Sequence, residues 1–118
     1  MLLDNAGGPA ASYDGVVFFK VDGGTVWQFE TSNAGTQKID TDIGAFDDDT
    51  FQRLGFYFDP NDGTTAKVQP YLNGAKAGTP LDLTISGLEE MGILMGVKSG
   101  GANVETLNVD YIKCVQLR

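Results

Sequence analysis

The chain contains no histidine. Mechanisms built on an imidazole base are closed to it, and so are histidine-ligated zinc and iron centres. A single cysteine, Cys114, excludes an internal disulfide and any site needing several thiolates. Basic residues are scarce: 8 Lys and Arg stand against 16 Asp and Glu, a formal charge of −8. Nucleic-acid phosphates and anionic membrane surfaces require a basic patch, so neither is expected as a partner. The apolar runs are only a few residues long, too short for a helix to cross a bilayer. No basic stretch leads into an apolar one at the start, so no signal peptide is expected.

What is abundant is glycine, 16 of 118 residues, alongside few strong helix formers. That disfavours an all-helical fold. A chain of this length buries about two thirds of its unfolded surface, enough for one core, so residues 1–118 are expected to form a single domain. Short β-rich runs bounded by Gly, Asp, Asn or Pro lie at 15–21, 25–31, 51–58, 66–72, 81–85, 91–98 and 105–117. Spacing of about ten residues with turn signals between is the pattern of an all-β sandwich or barrel. Asp22-Gly23-Gly24, Asp59-Pro60-Asn61-Asp62-Gly63 and Asn73-Gly74 supply those turns. Leu54, Phe56 and Phe58 alternate with Arg53, Gly55 and Tyr57. Met91, Ile93, Met95 and Val97 alternate with smaller residues, and Leu107, Val109, Tyr111, Val115 and Leu117 share one face interrupted by Lys113. One apolar face and one wet face per strand suits two packed antiparallel sheets. Leu88-Glu89-Glu90-Met91 could add one helical turn. Met1-Leu2-Leu3 resembles a short strand that runs at once into a loop, as expected of a fragment, a late translation start or a protein missing its first strands.

The chemistry-bearing residues are few. The four glutamates, Glu30, Glu89, Glu90 and Glu105, form no cluster on one strand and are expected to be solvated surface acids. Glycosidase chemistry needs two carboxylates facing one another, so no catalytic residue is assigned and no enzyme is expected. Asp47, Asp48 and Asp49, with Asp40 and Asp42, could supply hard oxygen ligands to a structural calcium ion; the plainer alternative is a solvated loop. No other cofactor is expected. Rings that stack on sugar faces could come from Trp27, Tyr57 and Tyr71; Trp27 also suits the core, while Tyr57 and Tyr71 fall on the wet side of their strands. Cys114, in a strand and with no base available, is expected to be a small buried or half-buried apolar residue. Gly44, Gly55 and Gly63 form no phosphate loop. Ser99-Gly100-Gly101-Ala102-Asn103 reads as a loop tip joining the last two strands.

One block carries a resemblance. Asp49-Thr50-Phe51-Gln52-Arg53-Leu54-Gly55-Phe56-Tyr57-Phe58-Asp59, followed by Lys67-Val68-Gln69-Pro70-Tyr71-Leu72-Asn73-Gly74, resembles the core of concanavalin-like jelly rolls. That superfamily includes laminin-G-like modules, legume-type lectins and family-16-type glucanases. With Asp14-Gly15-Val16-Val17-Phe18-Phe19 before the block, and Met91 to Gly100 and Leu107-Asn108-Val109-Asp110-Tyr111 after it, the chain is more narrowly similar to structural proteins of tailed bacteriophages with this fold. The resemblance spans roughly residues 14 to 117. It implies an antiparallel jelly-roll β-sandwich and a capsid decoration protein on the virion surface. Its implied partners are the major capsid protein or another virion protein, and further copies of itself in a homo-oligomer. The glucanase acid cluster is missing, and the lectin calcium–sugar pattern does not match residue by residue. A carbohydrate-binding module or lectin is the alternative. Apart from any resemblance, Val109 is expected to face the core from the last strand, so that Val109→Asp unfolds the domain by burying an unpaired charge.

Overall fold

A computed structural model describes residues 13–88, 90–97, 104 and 106–115. It is all-β, with two antiparallel sheets and no helix among the described residues. The first sheet is a meander of β1 (Gly15–Phe19), β2 (Gln28–Asn33) and β3 (Thr36–Asp40). The second is built on β5 (Thr65–Leu72). One side of β5 carries β4 (Leu54–Asp59); the other carries β6 (Ala75–Lys76) at one end and β7 (Leu81–Thr84) at the other.

The turns follow from local backbone chemistry. Asp22 and Gly23 turn the chain between β1 and β2, closed by Gly24 N–H donating to the Val21 carbonyl at 3.0 Å. Asn73 and Gly74, at φ +53° and +85°, form the two-residue turn that folds β6 onto β5. At Asp59–Gly63 the Gly63 N–H donates to the Pro60 carbonyl, with Asn61 and Gly63 at positive φ. Strand β3 was not expected from the sequence. Its hairpin turns on Ala34 and Gly35, at φ +49° and +78°. Alanine is a poor signal for a left-handed position, so the turn does not announce itself. The Asp14 carboxylate holds it, accepting the Ala34 N–H at 2.7 Å.

The core forms where the inner faces meet. Phe29 of β2, Ile43, Ala66 and Val68 of β5 and Leu83 of β7 are buried together. Val16, Phe18, Trp27, Phe58 and Leu81 pack around them, and the Phe18 and Phe29 rings lie 4.8 Å apart. Residues 29–33 of β2 are all buried, so this strand is covered on both faces. Its inward polar residues have defined partners. Thr31 Oγ1 donates to the Asp82 carbonyl at 2.7 Å, and Asn33 Nδ2 donates to the carbonyls of Thr84 at 2.6 Å and Ser86 at 3.1 Å. Among the described residues β7 pairs with no strand but β5, so these side chains cap carbonyls that would otherwise be orphaned at a sheet edge.

Four expectations change. Residues 91–97 and 106–115 join neither sheet, and their large apolar side chains are exposed. Alternation fixes which side chains share a face, but a strand exists only where a neighbouring edge completes its ladder. Val109 is 48% exposed, so a carboxylate there meets solvent and does not unfold the core. Cys114 is exposed rather than buried, for the same lack of a covering layer. No helical turn forms among the described residues of the 88–91 stretch. Met1-Leu2-Leu3, Glu89, Glu105, Leu117 and the 99–103 loop tip lie outside the described residues.

Two predictions follow from these contacts. Thr31→Val keeps the shape but removes the donor to the Asp82 carbonyl; urea denaturation should show a loss of about 0.5–1.5 kcal/mol. The exposed Asp62 carboxylate accepts the backbone N–H of Thr65 and Thr64 and the Thr64 hydroxyl, which holds its pKa at about 2, below the ordinary 3.8. A lowered folded pKa means that the stabilisation is complete above the unfolded value and fades as pH falls through about 2. The urea midpoint of the wild type should therefore exceed that of Asp62→Asn at pH 6, and the difference should vanish toward pH 2.

Candidate functional site

An open groove of about 1310 Å³ wraps the unpaired side of β4. Lys20, Trp27 and Phe46 form one end, and the 47–54 loop forms the rim. Phe56 faces it from the inner side of β4, and Tyr71 and Gly74 border it from β5 and its turn. Ile93, Met95 and residues 106–113 and 115 make the opposite wall.

The end of the groove is rigid for identifiable reasons. Residues 25–27 run beside 43–46 through backbone bonds: Trp27 N–H to the Gly44 carbonyl at 2.8 Å, Ile43 N–H to Trp27 at 3.0 Å and Phe46 N–H to Thr25 at 2.9 Å. The Trp27 and Phe46 rings meet edge to face at 5.2 Å, and the Lys20 ammonium sits 5.0 Å from the centre of the Phe46 ring. Gln52 ties the pieces together. Its Oε1 accepts the Trp27 indole N–H and the Asp47 backbone N–H, both at 2.9 Å, while its Nε2 donates to the Ala45 carbonyl at 2.9 Å. Gln52 drew no attention in the sequence, where it is one polar residue between Phe51 and Arg53.

The structure gathers most of the residues singled out in the sequence. Trp27, Tyr71, Asp47, Asp48 and Asp49 all line the groove; Tyr57 does not, standing exposed on the outer face of β4. Trp27 is half-buried against the core with its N–H engaged by Gln52. The acidic loop has internal work. The Asp47 carboxylate accepts the Asp49 N–H at 3.0 Å, Asp42 accepts the Gly44 N–H at 3.0 Å, and Asp40 accepts those of Asp42 and Thr79 at 3.2 Å. These are side-chain-stabilised turns, which Asp forms readily. Among the described residues, no three His, Cys, Asp or Glu side chains converge as a metal would require.

Away from the groove, Glu30 overturns the expectation of a solvated acid: it is 5% exposed. Its Oε1 accepts the Tyr13 hydroxyl at 2.8 Å and the Gln37 amide at 2.7 Å. Burial, then the hydrogen bond to Glu30 and its charge, pushes the Tyr13 phenol far above its ordinary range, so it remains a donor. Alternation had placed Glu30 on the face opposite Phe29, and β2 is covered on that face as well. Ser32, next along this face, has no hydrogen-bond partner for its hydroxyl among the described residues.

Comparison with protein-family models, with curated proteins and with solved structures finds no match for this chain.

Because Gln52 joins Trp27 to the acidic rim, Gln52→Ala should leave the indole N–H and the Ala45 carbonyl without their partner. The expected result is a loss of about 0.5–1.5 kcal/mol in urea denaturation, with a red-shifted tryptophan emission as water reaches the indole.

Proposed function

We propose that this chain is a virion structural protein with a concanavalin-like jelly-roll sandwich. In this reading it is a capsid decoration protein that binds the major capsid protein, or another virion protein, at the outer capsid surface as a homo-oligomer. Its work is adhesion to protein surfaces and involves no catalysis. The observation that carries the reading is the apolar surface on residues 91–97 and 106–115, where side chains such as Ile93 and Val115 are 64% and 65% exposed. Exposed apolar surface of this kind supports protein contact. The unpaired side of β1 adds a route for β-augmentation, since among the described residues β1 pairs only with β2. The charge of −8 keeps such a surface protein soluble and gives it nothing to hold packaged nucleic acid.

A second reading, a carbohydrate-binding module, is favoured by the meeting of Trp27, Tyr71 and the Asp47–Asp49 rim in one groove. It would show as calcium-dependent retention on a glycan array.

The deciding experiment is a density-gradient separation of a lysate of the source culture, with mass spectrometry of the particle fractions. Co-migration with a capsid protein at a fixed ratio is the expected result. A chain confined to the soluble fractions overturns the virion reading.

A further inference from the structure

We infer that residues 106–115 are a strand poised to add to the unpaired side of β4, closing the groove from within the same chain. The inference goes beyond the virion reading and leaves residues 91–97 and the side of β1 to carry that reading. It rests on what the two walls of the groove are made of.

One wall is an incomplete sheet. Among the described residues β4 pairs only with β5, so every second N–H and C=O of residues 54–59 lacks a strand partner. Phe56 stands on the same face as Phe58, which packs on the core, yet is 47% exposed because nothing covers that end of the sheet. The other wall is a segment with the composition of a strand and no ladder. Leu107, Val109, Tyr111 and Val115 recur at a period of two and are all exposed, with Thr106, Asn108 and Asp110 between them. Strand addition would set the first group beside Leu54, Phe56 and Phe58, and the second beside Gly55 and Tyr57. Both faces of the extended sheet would then match in character.

Charge agrees with this placement. Lys113 is the one cation on the apolar face of the segment, and it lines the same groove as Asp47, Asp48 and Asp49. The occupant is argued to be this chain's own segment because the segment already forms the facing wall. Tethering gives it an effective concentration of the order of millimolar, which a second copy matches only in concentrated solution. Closure would remove residues 106–115 from the exposed apolar surface and leave 91–97 and the side of β1 for a partner.

Hydrogen–deuterium exchange of the full chain, read by mass spectrometry at several protein concentrations, tests this. Residues 106–115 and 54–59 should exchange at least about 100-fold slower than an unstructured chain, independently of concentration. Val109→Asp should abolish that protection at 106–115 and at those amides of 54–59 that face away from β5, while the amides of β4 bonded to β5 and those of β2 and β5 stay protected; Val109→Ile should retain it. Exchange of 106–115 at the unstructured rate overturns the inference. So does protection that grows with concentration, which would assign the groove to a second copy, and so does protection unchanged by Val109→Asp. The wild-type rates decide the matter even if the aspartate variant fails to fold. None of these outcomes bears on whether the chain migrates with particles.

Discussion

The sandwich depends on how β2 meets the edge of β7. Packing of Phe29 on Leu83 and Val68 supplies the apolar driving force, but it does not by itself fix one sheet relative to the other. Thr31 and Asn33 do. Their side chains reach across the interior to the carbonyls of Asp82, Thr84 and Ser86. Each of these bonds needs its donor opposite its carbonyl, so one lateral placement of the sheets satisfies all of them. The same bonds cover the free side of β7, which would otherwise be open to pairing with another chain.

Burial on both sides of β2 has a second consequence. The outward face of the first sheet is not a simple wet surface: Val17, Phe19, Glu30 and Ser32 are all buried there. A carboxylate in that setting is held by directed donors, the Tyr13 hydroxyl and the Gln37 amide. The polar interior thus lies on both sides of one strand, and Gln52 plays a similar part at the groove, where one amide serves two donors and an acceptor. These networks order loops that carry little apolar content of their own.

The second sheet is finished on one side only. β6 and β7 share one side of β5, while β4 ends the other with its own far side unpaired among the described residues. The exposed apolar segments lie across the groove from that side. The proposed adhesive function and the proposed strand completion draw on the same physical resource, apolar surface beside unpaired backbone, and they are separable because residues 91–97 and 106–115 need not share one fate.

The sequence by itself determined the all-β class, most strand positions and the turns at Asp22-Gly23, Asp59–Gly63 and Asn73-Gly74. These rest on local chemistry: alternation of period two, and residues that tolerate positive φ. It also marked Trp27, Tyr71 and the Asp47–Asp49 loop, which the fold brings to one groove. The β3 hairpin escaped because Ala34 occupies a position where Asn or Gly is the usual sign. Glu30 and Gln52 escaped because burial and hydrogen-bond partners distant in sequence belong to the packing of strands and not to any one strand. Residues 91–97 and 106–115 show the converse. Their alternation is as clear as that of β4, yet whether an alternating segment becomes a strand is decided by the edge available to receive it, and only the tertiary structure holds that information.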